Sequence, residues 1–181
     1  NVAVGVTALD SITTGNNNVA VGYDALTANT EGSDNTALGY QSLFTNSTGD
    51  FNTGLGVYSL KLNETGNNNT AVGYDSLFNN NSGNNNVAVG YQALRANTSG
   101  TDNTGVGFQT LNTNQTGNNN VAIGYQAGTL CTGSNNIFIG VSANTTANYA
   151  ATNNQIVIGH TAISEGSNTI RLGNDLIEHL H

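Results

Sequence analysis

Apolar and polar positions alternate along this chain in short bursts rather than in long amphipathic stretches. The group Asn18-Val19-Ala20-Val21-Gly22 sets the pattern. It opens the chain as Asn1-Val2-Ala3-Val4-Gly5 and returns, lightly varied, at 35–39, 52–56, 69–73, 86–90, 103–107 and 120–124. The closing glycines up to Gly124 fall every 17 residues. Self-similarity at a fixed short period predicts a stacked, solenoid-type chain.

With the closing glycine as position zero, position −1 is always aliphatic (Val4, Val21, Leu38, Leu55, Val72, Val89, Val106, Ile123, Ile139) and position −3 is mostly Val or Thr. Alternation of these residues predicts a three-residue strand with both side chains on one face. The other face carries the −4 Asn and the −2 residue, which is Ala20, Ala37, Gly54, Ala71, Ala88, Gly105 and Ala122 in successive coils. A strand face of only Ala and Gly implies another backbone close against it. We therefore expect these residues to form the contact between sister chains.

Leu9, Leu26, Leu43, Leu60, Leu77, Leu94 and Leu111 stand at +4 and are the expected inward anchors. The stretch around each, such as 91–97, fits a second short strand or a single helical turn equally well. Asn at +7 and Gly at +10, as in Asn80 and Gly83, mark the turn back to the next strand. The fold class is thus all-β, a parallel β-solenoid (β-roll) of about ten 17-residue coils. Coils about 4.8 Å apart give a rod of roughly 50 Å, with Asn side chains laddered along it. So thin a core points to a parallel homo-oligomer running the length of the rod.

The regular solenoid is expected over 1–143. Irregular terminal coils and a cap follow at 144–174, where the closing glycines drift to Gly140, Gly159 and Gly173 and position −2 becomes Phe138, Val157 and Arg171. Bulk and charge there predict an opening of the tight contact, and 143–149 reads as a protruding loop. A tail, 175–181, has apolar residues at helical spacing and fits the start of a neck or an appended segment.

Composition narrows the role. Net charge is −8, and Lys61, Arg95 and Arg171 are the only basic side chains apart from three histidines. Three cations cannot neutralise a phosphate backbone, so nucleic acid and anionic membranes are not expected partners. No apolar run approaches the roughly 20 residues that span a bilayer. The lack of Met and a start within a repeat suggest a piece of a longer chain. Cys131 is the single cysteine, expected to act as a small buried hydrophobe.

Candidate chemistry is sparse. The possible bases His160, His179 and His181 all fall near the C-terminus, and His160 takes the slot usually held by Tyr, as a surface ring. Among the acids, Asp24 and Asp75 share a repeat position three coils apart, too far for a glycosidase pair, and Glu31 with Asp34 reads as a solvated turn. Asp does not recur in every coil, as calcium-binding repeats require. No cofactor, metal site or catalytic residue is expected. The row Tyr23, Tyr40, Tyr74, Tyr91 and Tyr125, with Phe108 in register, is either a glycan-stacking surface or a structural ladder closing the core.

The Asn-Val-Ala-Val-Gly unit resembles the head repeats of YadA-like trimeric autotransporter adhesins. The longer unit Gly117-Asn118-Asn119-Asn120-Val121-Ala122-Ile123-Gly124-Tyr125-Gln126-Ala127 is similar to repeats of phage-type tail fibres. The likeness covers about residues 1–143, although the adhesin unit is nearer 14 residues. It implies an intertwined homotrimer of left-handed β-rolls outside the cell, on a bacterial surface or a virion. The expected role is a rigid, non-enzymatic spacer in contact with a host receptor or glycan. Two rivals are an ice-binding solenoid and a glycan-cleaving tailspike with an inter-chain site.

Overall fold

A computed structural model describes residues 1–175. Every regular coil contributes one three-residue strand: β1 (Val2–Val4), β2 (Val19–Val21), β3 (Thr36–Leu38), β4 (Thr53–Leu55), β5 (Thr70–Val72), β6 (Val87–Val89), β7 (Thr104–Val106), β8 (Val121–Ile123) and β9 (Ile137–Ile139). The irregular end adds β10 (Asn144–Thr145), a 3₁₀ turn (Ala147–Tyr149), β11 (Gln155–Ile158), β12 (Ile163–Ser164) and β13 (Thr169–Leu172). Strands β1 to β9 pair in chain order, and β11 and β13 follow, giving one parallel sheet of eleven strands. β10 and β12 form a separate two-stranded parallel sheet. Register is set by the repeat, with Ala71 opposite Ala88 and Val72 opposite Val89. The chain is a parallel β-solenoid of about ten coils, as the periodicity predicted.

Inside and outside are the reverse of the sequence expectation. The −2 row faces the chain's own interior: Ala20, Ala37, Ala71, Ala88 and Ala122 are fully buried, and Gly54 and Gly105 are buried with them. These residues are therefore unavailable to a sister chain. They are small because the +4 leucines, fully buried from Leu26 to Leu111, already fill a narrow coil. Were Gly105 to carry a Cβ, it would stand 2.8 Å from Thr110 Oγ1 and 3.5 Å from Leu94 Cγ. The −1 and −3 side chains point outward instead.

The Leu-bearing half of the coil is neither strand nor helix. Its +2 and +4 residues take left-handed backbone, as in Gln92 (φ 53°) and Leu94 (φ 52°). That conformation is costly for a residue with a Cβ. Here it lets successive amides point to opposite neighbours: Gln92 N–H donates to Tyr74 C=O (2.9 Å) and Leu94 N–H to Thr110 C=O (2.9 Å). At the corner, Gly90 has φ 135°, and an added Cβ would lie 2.3 Å from Gly107 O. Only glycine fits such an approach.

Two buried asparagine ladders replace backbone pairing where the coil bends. At −4, Asn86 N–H and Nδ2 donate to Asn69 Oδ1 (3.0 and 3.1 Å), and Nδ2 also reaches Gly100 O (2.8 Å). At +7, Asn80 Nδ2 donates to Asn63 Oδ1 (2.8 Å) and Gly83 O (2.9 Å). Each amide thus satisfies groups in two coils, as buried polar groups must. Position −6 works similarly on the surface, where Asp50 N–H donates to Asn67 Oδ1 (2.7 Å).

The terminal coils continue the same sheet. Phe138 and Val157 are fully buried, so their bulk fills the interior rather than opening a contact face. Residues 143–145 are likewise buried and partly paired through β10, not protruding. Arg171, at the last −2 slot, turns charge into the end of the stack and pairs with Asp175, as a capping coil is expected to do. The tail from 176 onward is outside the described residues.

Candidate surfaces for recognition

Two rows of side chains reach solvent in a regular way, each following from the coil geometry, and one cluster interrupts the second of them. The first is the outward face of the long sheet. Its −1 residues include Leu38 at 50% exposed and Ile123 at 42%, and its −3 row is Val2, Val19, Thr36, Thr53, Thr70, Val87, Thr104, Val121, Ile137, Ile156 and Ile170. Strands of three residues at about 3.3 Å each, over eleven rungs about 4.8 Å apart, make a flat face on the order of 500 Å². It carries no charged side chain, and its aliphatic and Thr side chains form a patch of the size that on soluble chains is often functional. Sequence reasoning placed these residues correctly on one face but gave the inter-chain contact to the opposite, Ala- and Gly-bearing face.

The second is the aromatic row at +1. Tyr23 and Tyr40 stack with centroids 5.5 Å apart, Tyr74 and Tyr91 at 5.5 Å, and Phe108 lies 5.1 Å from both Tyr91 and Tyr125. The rings are about half exposed, so the ladder flanks the coil and does not close its core. Ring faces cover one another at a spacing too narrow for a sugar ring to enter, which leaves edges and phenol oxygens outward. Asp75 beside Tyr74 pushes its phenol above the ordinary value, with crowding by neighbouring rings adding to the shift.

Between Tyr23 and Tyr125 the row is broken once. Val57 takes the +1 slot, and Tyr58 at +2 replaces the lost ring, meeting Tyr40 (5.4 Å) and Tyr74 (5.9 Å) edge-on. Elsewhere +2 is polar and hydrogen-bonded along the rod, as in Gln109 Nε2 to Gln92 Oε1 at 3.0 Å. Tyr58 also faces Phe78, 6.2 Å away. Lys61 Nζ sits 4.6 Å from the Tyr58 centroid, 5.6 Å from Phe78 and 5.9 Å from Phe44. Arg95 lies over Phe78 at 5.4 Å and pairs with Asp75 at 3.3 Å. Sequence reading missed this third feature, although Val57-Tyr58 standing where most regular coils read Tyr-Gln or Tyr-Asp was a visible departure from the repeat.

The remaining candidates do not converge. Glu31 and Asp34 are exposed. His160 is exposed too, and Val141, not a ring, precedes it in the +1 row. Among the described residues no group of three or more His, Cys, Asp or Glu is arranged to hold a metal ion, and no helix is long and apolar enough to cross a membrane. His179 and His181 are outside the described residues. Cys131 is buried, with Asn136 Nδ2 donating to its sulfur at 3.3 Å.

No family model, curated protein or solved structure matches this chain. The functional reading therefore rests on the surfaces themselves and on the likeness of the repeat unit.

Proposed function

We propose that this chain is a rigid shaft segment of an extracellular fibre, built from three parallel copies that meet along the outward face of the eleven-stranded sheet. One observation carries the reading: both outward positions of every strand in that sheet are apolar or Thr until Arg171 ends the stack on the inward side. A face that repeats at every coil is matched only by a partner with the same rise, which a second and third copy supply. The likeness of the unit to trimeric adhesin heads and tail-fibre repeats supports the number three and a location on a bacterial surface or virion. The role is mechanical and adhesive, with a host receptor or glycan as the partner.

Light scattering after size exclusion tests this directly. We expect a mass of three 18.6 kDa chains, and a single chain for Val72→Glu/Val89→Glu/Val106→Glu. That variant should keep the β circular dichroism, since none of its substitutions enters the interior. A stable single wild-type chain would end the proposal.

A second reading draws on Thr36, Thr53 and Thr70, three consecutive outward threonines in register. A flat, evenly spaced Thr row is a surface suited to ordered water, and thermal hysteresis at millimolar protein would reveal ice binding.

A further inference from the structure

The Lys61 cluster is unlike anything else on the rod. Lys61 is the single lysine of a chain with net charge −8. Three aromatic rings from three successive coils fix its ammonium group within 6 Å of their centroids. Among the described residues it makes no ion pair, and its Nζ donates no hydrogen bond. The nearest other cation, Arg95, is already neutralised by Asp75. Lys61 is thus a positioned charge whose three N–H donors remain unspent.

The cost of building it is visible in the backbone. Tyr58 occupies left-handed φ (59°) at a slot where every other coil has a polar residue. A bulky ring tolerates this conformation less well than the Asp or Gln of other coils. Without the Val57-Tyr58 inversion, Tyr58 would sit in the stacked row, and its face would not lie under Lys61.

We propose that the surface formed by Phe44, Tyr58, Lys61 and Phe78 binds a carboxylated sugar residue of a surface glycan. The carboxylate accepts hydrogen bonds from Lys61 Nζ, and the ring C–H groups of the sugar pack against the solvent-accessible part of the half-buried aromatic rings. A neutral sugar leaves the ammonium unpaired. A small inorganic anion leaves the rings bare. The half-buried rings hold the cation in place before binding, which reduces the ordering cost of capture. The inference deepens the receptor contact proposed above, yet the site lies within one chain and does not depend on how many chains assemble.

The test is an array printed with carboxylated, sulfated and neutral glycans, probed with fluorescently labelled full chain. We expect retention on carboxylated spots, loss of retention when those carboxylates are methyl-esterified, and at least a tenfold drop for Lys61→Met, which keeps the side-chain stem. Val57→Tyr/Tyr58→Gln, which restores the regular row, should lose binding to the same degree with unchanged circular dichroism. Retention on neutral or sulfated spots alone, binding indifferent to Lys61→Met, or no retention on any carboxylated spot would overturn the proposal. Val72→Glu/Val89→Glu/Val106→Glu should alter chain number but leave the glycan preference intact, so failure of one reading is told apart from failure of the other.

Discussion

Gly128 and Phe138 exchange volume across the interior: a Cβ on Gly128 would lie 2.9 Å from Phe138 Cδ2. Gly128 stands in the +4 slot that Leu fills in the seven preceding coils, with similar left-handed backbone (φ 62° against 52° at Leu94). Phe138 stands in the −2 slot that Ala or Gly holds in every preceding coil. One residue shrank where its neighbour grew, and Phe138 remains fully buried.

The pair predicts a strongly non-additive cycle. Phe138→Ala leaves a cavity and should cost about 3–5 kcal/mol, and Gly128→Leu forces a side chain into the ring for about 1–3 kcal/mol. The double variant recreates the Leu/Ala arrangement of the regular coils and should recover most of the loss. Urea unfolding of all four proteins measures the coupling, and simple additivity would rule out the exchange.

The same relationship explains what could be read in advance. Period, strand positions, parallel register and the Asn and Gly turns follow from residue type at fixed spacing, and the 17-residue offset between Ala71 and Ala88 appears unchanged in the ladder. Which face is inner does not follow. A strand of only three residues, as Val87-Ala88-Val89, has one small and one branched apolar face, and either could be buried. The deciding quantity is the width of the coil, set by Leu94 on a left-handed backbone that propensity would not assign to leucine. Once Leu94 crosses the interior, only Ala88 fits opposite, and the valines are forced outward. The Lys61 cluster was hidden for another reason: its rings come from three different coils and meet only after stacking.

Phe51 should be improvable. It is the one residue of the −5 row among the regular coils that is not Asn or Asp, it has φ 58°, and it is 59% exposed. Asn tolerates left-handed backbone far better than Phe, and here it would stand beside Asp34 and Asn68 in a row that already hydrogen-bonds at Asn17–Asp34 (3.0 Å). Phe51→Asn is expected to stabilise by about 0.5–1 kcal/mol, seen as a rise in Tm of a few degrees. A fall would mean that Phe51 is packed against something beyond its own chain.

Asn80 tests the inner ladder. Its amide donates to Asn63 Oδ1 and Gly83 O, and its oxygen accepts from Asn97 Nδ2 at 2.6 Å. Asn80→Ala strands buried acceptors and should cost about 1–3 kcal/mol for each group left unpaired. Asn80→Asp should be worse at pH 7, because a carboxylate would face two acceptors with no proton to give. Burial and those acceptors raise the pKa of the new carboxyl above its unfolded value. Its stability is therefore retained at acid pH and lost as pH rises. Thermal melts between pH 4 and 8 check this, with equal penalties at both ends as the contrary result.

Cys131 ends that ladder, occupying the +7 slot after Asn114. Burial pushes its thiol from 9.0 up to about 11, opposed only in part by the hydrogen bonds at its sulfur. Iodoacetamide at pH 8 should therefore leave the native chain unmodified over hours and label it within minutes once denatured. The same shift makes stability depend on pH in a defined window. The unfolded thiol ionises above about pH 9 while the folded one keeps its proton, so the unfolded state sheds protons first and stability falls as pH rises from about 9 to 11. Two pH units correspond to about 2.7 kcal/mol. Wild type and Cys131→Ser differ at this one position, so contributions from the rest of the chain cancel in their difference. That difference should stay constant below pH 8 and move in favour of the serine variant between pH 9 and 11. A difference flat across the whole range, or prompt labelling of the native thiol, would show that Cys131 is not sealed inside the coil.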